Sequence, residues 1–109
     1  MDIGITRQDT VVIVIPKGRI DGATAKEFED KLLSVVRDEK KIVVDFSDID
    51  YISSAGLRVI LLAAKSAKSK GHGLALCSMK APIHQVFDIS GFAKLLNIAG
   101  SRAQALAAV

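Results

Sequence analysis

Two adjacent hydroxyls, Ser53 and Ser54, stand immediately before Ala55-Gly56-Leu57-Arg58, where an apolar pattern of helical spacing begins. A serine in that place has two uses. Its oxygen can accept a hydrogen bond from an amide one turn into the helix and so cap it, or its hydroxyl can take a phosphoryl group, adding about −1.5 to −2 charge at neutral pH. Both serines fit the first use. The second draws support from the surroundings, because the orphan amide hydrogens and dipole of a helix start tolerate an anion. A phosphate there need not unfold the domain. Asp48 and Asp50 lie just upstream and would add to a local anionic surface, so a docked partner would meet repulsion and a desolvation cost. Asp21-Gly22, ahead of an earlier helical pattern, is a second place of the same kind.

Other chemistries find less to work with. Neither G-x-G-x-x-G nor a GxxxxGK[ST] phosphate loop occurs, and Gly71-His72-Gly73 ends a helical pattern instead of opening one. His72 and His84 lack metal-ligand spacing to each other or to Cys77, and read as surface or capping groups. Asp45, Asp48 and Asp50 could suggest a hard-cation or phospho-aspartate site. They fall in one strand-loop segment, where solvated loop charges account for them. No metal or cofactor is expected, nor an enzyme.

Cys77 is the only cysteine, so no internal disulfide is possible; in the apolar run Leu74-Ala75-Leu76-Cys77 it reads as a buried thiol. Fifteen Lys and Arg against twelve Asp and Glu leave a net charge of only +3. Lys65, Lys68 and Lys70 cluster without aromatic stacking residues, so they read as a solvated face and no direct nucleic-acid partner is expected. No apolar stretch approaches the roughly 20 residues of a membrane span, and the basic-then-apolar order of a signal peptide is missing. The expectation is a cytoplasmic protein without membrane insertion.

The elements that must position these residues follow from hydrophobic period. Ile3 and Ile5 alternate with polar residues, Gln8-Asp9-Thr10 interrupts, and Val11 to Ile15 form a β-branched run closed by Pro16, which predicts two antiparallel strands. Thr24 to Glu27 fits a capping box, followed by the stripe Ala25, Phe28, Leu32, Val35 and Val36 of a helix ending near Arg37. Ile42 to Phe46 predicts an interior strand, Ser47 to Ser53 a polar loop, and Leu57, Ile60, Leu61, Ala64 and Ala67 a second helical stripe that Gly71 and Gly73 end. Arg58, Leu62, Lys65 and Ser69 recur on the opposite side, which makes Leu62 an exposed apolar residue. Leu74 to Ser78 reads as another buried strand. Pro82 opens a short helix carrying Ile83, Val86 and Phe87, with Gly91 as its cap. Leu95 to Ile98 reads as an edge strand, and Ser101 to Gln104 as a capping box for a last helix containing Leu106 and Val109. At 109 residues this amounts to one α/β domain over residues 1–109, a mixed β-sheet with crossover helices packed on it.

Three segments, in order, carry a family resemblance. Ser53-Ser54-Ala55-Gly56-Leu57-Arg58-Val59 after the strand at Ile42 to Phe46 closely resembles the signature of anti-sigma-factor antagonists, bacterial members of the STAS domain family. Gly18-Arg19-Ile20-Asp21 resembles the family's G-x-[LI]-D turn, and Val86 to Phe92 its late helix-to-glycine segment. The resemblance implies a STAS-like fold and a partner-switching cycle. It places the phosphate acceptor at Ser54, with Asp21, Ser53, Ala55, Gly56, Arg58 and Leu62 on the partner-binding surface. The implied partners are an anti-sigma factor with a histidine-kinase-like ATPase domain, acting as serine kinase, and a serine phosphatase that resets the switch. ATP would belong to the kinase. The alternative within the same fold is a scaffold or transporter-accessory subunit with no serine switch.

Overall fold

β-branched runs make the centre of the sheet, and the computed structural model describes all of residues 1–109. β1 (Asp2–Gln8) and β2 (Val11–Ile20) form an antiparallel hairpin. α1 (Ala25–Asp38) follows, then β3 (Lys41–Asp45), β4 (Ile49–Ile52), α2 (Ser54–Lys70), β5 (Gly73–Cys77), α3 (Ala81–Ile89), a 3-10 turn (Phe92–Leu95), β6 (Ile98–Ala99) and α4 (Arg102–Ala108). The strands lie in the order β1-β2-β3-β5-β6, with β4 also against β2, and every pairing except the hairpin is parallel. The result is the expected mixed sheet in an α/β domain, and it has six strands and four helices.

Strand alternation divides the sheet into two unequal faces. Val12, Val14, Ile42, Val44 and Leu76 face α1, α2 and α3, together with Phe28, Leu32, Ile60 and Phe87, in the main core. Val11, Ile13, Val43, Ala75 and the buried Cys77 form a smaller cluster with Ala105 of α4. Burial pushes the Cys77 thiol pKa up, which suits the inert structural role expected of it.

In its elements and their buried faces the structure departs from the sequence reading in five places. β2 runs through Pro16 to Ile20, because Pro16 falls between the stretch paired with β3 (Val12–Val14) and the stretch paired with β4 (Gly18–Ile20) and interrupts neither ladder. Part of the supposed loop from Ser47 to Ser53 is β4, whose Ile49 and Ile52 are buried while Asp50 and Tyr51 are exposed. Thr24 does not cap α1 with its side chain; its hydroxyl closes the preceding turn, and Glu27 meets the α-amino group of Met1 at 2.7 Å. The residues of α2 that are buried are Gly56, Leu57, Val59, Ile60, Ala63 and Ala67. The stripe is rotated, so that Leu61 and Ala64 are half-buried toward the 3-10 turn and Leu62 is half-buried, not exposed, in a groove shared with Leu33 of α1. Finally, Leu95 belongs to the 3-10 turn that follows Gly91 (φ 79°), and the edge strand holds only Ile98 and Ala99.

Asp45 is not a solvated loop charge. It is 4% exposed; Oδ1 accepts from the Ser47 amide at 2.9 Å, and Oδ2 receives Nε and Nη2 of Arg102 at 3.0 and 2.9 Å. Burial alone would raise its pKa, but the Ser47 hydrogen bonds and the Arg102 guanidinium outweigh it and hold the carboxyl below its usual value. A carboxylate with a lowered folded pKa contributes stability that is present above about pH 4, the unfolded value, and lost as pH falls through the folded one. The pair fastens α4 to the end of β3. Arg102→Ala should therefore cost about 1–2 kcal/mol at pH 7, less than a fully enclosed pair because the Arg102 side chain is 39% exposed. Urea denaturation at pH 7 and pH 3 checks this, with the difference from the parent chain shrinking at pH 3.

Candidate functional site

β2 and β4 end together, and this brings two distant sequence segments to one place. Ile20 pairs with Ile52, and the Ser53 amide donates to the Ile20 carbonyl at 2.8 Å. The next residue on one strand is Asp21; on the other the chain turns into α2. The ladder is irregular between Gly18 and Arg19, where Gly18 takes a φ of 92° that favours glycine and its amide donates to the Asp48 carbonyl at 2.9 Å.

Asp21 is fixed before any partner arrives. Its Oδ1 accepts from the amides of Ala23 (3.0 Å) and Thr24 (3.2 Å), while Thr24 Oγ1 accepts from the Asp21 amide (2.9 Å) and donates to the Arg19 carbonyl (2.8 Å). The Ala23 amide, acting against partial desolvation and aided by Thr24 and Arg19, lowers the Asp21 pKa. It stays an anion at neutral pH.

The serine pair divides its labour. Ser53 is the N-cap of α2, with extended backbone (φ −93°, ψ 176°) and Oγ accepting from the Gly56 amide at 3.4 Å, a long bond. Ser54 is the first residue of the helix and is exposed, and its hydroxyl makes no hydrogen bond within the chain. The capping use is thus taken by Ser53, leaving Ser54 free. Ala55 is half-buried and Gly56 buried; Arg58 is exposed, one turn beyond Ser54 on the same helix face, with no ion-pair partner. Leu62 lies two turns along α2, about 12 Å at 1.5 Å per residue.

Two residues here escaped the sequence reading. Arg19 stacks its guanidinium over the Tyr51 ring, 4.3 Å from the centroid, and its Nε lies 3.6 Å from Asp21 Oδ2. Tyr51 is 41% exposed. No local signal marks them: Ile49-Asp50-Tyr51-Ile52 is buried at its ends and exposed in its middle rather than alternating, and Arg19 meets Tyr51 only because β2 pairs with β4.

The acidic residues upstream do not converge. Asp45 is committed to Arg102, Asp50 pairs with Lys80, and no group of three or more His, Cys, Asp or Glu is placed to hold a metal ion. His72 Nδ1 lies 2.8 Å from the Val36 carbonyl, and His84 faces Asp88 within α3. None of the molecule's cavities is lined by Ser53 or Ser54. Ser54 therefore stands on open surface, where another protein can reach it more readily than a small molecule can be enclosed.

Fold and site together define a small α/β domain whose chemistry-bearing residues sit on an exposed helix start beside an ordered acidic turn. The STAS domain model matches residues 2–105, and the chain belongs to that family. It is 38% identical over 109 residues to BtrV of Bordetella bronchiseptica, a protein assigned as an anti-sigma factor antagonist, covering 99% of this chain and 94% of that one. It is 30% identical over 98 residues to the anti-sigma F factor antagonist of Paenibacillus polymyxa, covering 88% and 84%. The crystal structure of an anti-sigma factor antagonist from Mycobacterium paratuberculosis superposes with a TM-score of 0.91 at 24% identity, over 99% of this chain and 92% of that one, and shows the same fold. No helix here is long and apolar enough to cross a membrane.

Proposed function

We propose that this chain is an anti-sigma-factor antagonist whose docking surface is switched by phosphorylation of Ser54. The observation that carries the switch is the division between the serines: Ser53 holds the cap, and Ser54 offers an exposed hydroxyl with no structural duty. The names of the relatives support the antagonist role.

In this reading the unphosphorylated chain, in the cytoplasm, docks an anti-sigma factor that has a histidine-kinase-like ATPase domain, and so frees a sigma factor. Asp21, Ser53, Ser54, Ala55 and Arg58 form the docking surface, with Leu62 at its far end; Gly56, which the family resemblance also placed there, is buried against Ile20 and Ile52 and seats the helix start beneath that surface. The kinase supplies ATP and transfers the γ-phosphoryl group to Ser54 Oγ, releasing ADP and a proton. The chain is the substrate and not an enzyme. A phosphate on the first helical residue meets the amide end of α2, so the fold stays intact. Beside it lies the fixed Asp21 carboxylate, and a partner would have to desolvate both charges. The complex then comes apart without refolding, and a serine phosphatase restores the binding form.

The deciding experiment is incubation with ATP and candidate serine-kinase anti-sigma factors, followed by intact-mass spectrometry and site mapping. One phosphate on Ser54 is the expected result. No modification by any of them would favour a scaffold role on the same fold.

A further inference from the structure

Arg19 occupies the open position of the G-x-I-D turn, and its setting is more ordered than an exposed arginine requires. Its side chain is 62% exposed, yet it is held on two sides, by the Tyr51 ring and by Asp21 Oδ2. Asp21 is itself held by two backbone amides, and the Arg19 carbonyl is held by Thr24 Oγ1. Since Asp21 meets Nε at 3.6 Å, the two terminal nitrogens of the guanidinium remain unpaired. A planar fork with two free amino groups is shaped to take a carboxylate bidentately. Much of the ordering entropy that such a contact would demand has been spent in folding. Tyr51, one of few large apolar residues left exposed, adds contact area beside the fork, and Tyr and Arg are the side chains that most often anchor protein interfaces. The pair stands at the end of the β2–β4 ladder, in the same corner as Asp21 and Ser53.

We propose that Arg19, stacked on Tyr51 and steadied by Asp21, is the partner-selecting residue of the docking surface and receives a carboxylate on the partner protein. The inference rests on the docking reading above and adds the chemistry of the partner, which must place an Asp or Glu opposite this corner. Asp21 then has a second duty besides its own contact, that of aiming Arg19.

The test measures binding and phosphorylation of the wild-type chain, Arg19→Glu, Arg19→Lys and Tyr51→Ala by a panel of serine-kinase anti-sigma factors. The expected result is about a tenfold rise in Kd and in KM for Arg19→Glu, with the loss falling on KM rather than kcat. Arg19→Lys should fall between, because it keeps the charge and loses the fork, and Tyr51→Ala should weaken binding by a smaller factor. A Lys replacing the facing acid on the kinase should restore binding of Arg19→Glu. Thermal melts of the variants check that the exposed side chains have been changed without loss of fold. Equal Kd values for wild type and Arg19→Glu overturn the inference while leaving the docking reading intact. An unchanged Kd together with faster dephosphorylation of the Ser54 phosphate would place Arg19 on the phosphate instead and also overturn it. Failure of the wild-type chain to bind any kinase overturns both.

Discussion

Ser54→Asp should weaken binding of the cognate serine-kinase anti-sigma factor by about a hundredfold, and Ser54→Ala should bind as the parent does while taking no phosphate. The magnitude follows from where the charge lands. Residue 54 is exposed in the free chain and covered in the proposed complex, so a carboxylate there loses its water on docking. An uncompensated charge enclosed at an interface costs about 2–5 kcal/mol. The end of α2 returns some of that, because a helix start favours an anion by about 0.3–1 kcal/mol. The nearby Asp21 carboxylate works the other way. A net loss near 2.7 kcal/mol corresponds to about a hundredfold in Kd. Phosphate, with up to twice the charge, should do more.

The alanine variant is expected to be quiet for a reason visible in the hydrogen bonds. Ser54 Oγ makes none within the chain, while Ser53 supplies the cap, so removing the Ser54 hydroxyl takes nothing from the fold. Titration of both variants against the kinase by calorimetry, with melts to confirm folding, checks the pair. Equal affinities for Ser54→Asp and Ser54→Ala would count against a phosphate switch at this position.

Much of this site was legible in the sequence because it depends on local patterns. The helix after Ser53, the glycine ends at Gly71 and Gly91, and the buried runs of β3 and β5 all follow from period and from residues with special backbone freedom. What was not legible was pairing between distant strands. β4 is only four residues long, and its polar middle, Asp50-Tyr51, disguises it as loop; it becomes a strand because β2 extends past Pro16 to meet it. That single long-range fact places Arg19 over Tyr51 and sets Asp21 beside the serines. Likewise the Thr24-to-Glu27 pattern fits a capping box, yet other partners claimed both side chains, the local Asp21 turn taking Thr24 and the distant amine of Met1 taking Glu27. The Asp45–Arg102 pair spans 57 residues and left no local trace at all.

Gly56 shows the same long-range geometry acting on a residue that the sequence marks only as part of a motif. The glycine lies within helical backbone and needs no unusual conformation, so an exchange for alanine at an open helical site would stabilise by about 1 kcal/mol. Here the opposite is expected. A Cβ added at Gly56 would lie 2.7 Å from Ile20 Cγ2 and 2.7 Å from Ile52 Cγ1, with Ile20 Cβ at 3.2 Å. Ile20 is fully buried and Ile52 is 4% exposed, so neither can swing into solvent. The first turn of α2 must instead back away from the ends of β2 and β4. Forcing an extra methyl into a packed core costs about 1–3 kcal/mol. With two clashes at once, Gly56→Ala should lose about 2 kcal/mol net, which lowers Tm by roughly 10 °C for a domain of this size. In an Ile52→Ala background one clash is gone, and the cost of Gly56→Ala should fall. A rise in Tm for Gly56→Ala would show that the close approach is not what the glycine serves. If the cost appears as expected, Gly56 and Ser54, the proposed phosphate acceptor, serve one purpose: Gly56 lets the helix start settle against the ends of β2 and β4, and that seating places Ser54 at the end of the β2–β4 ladder.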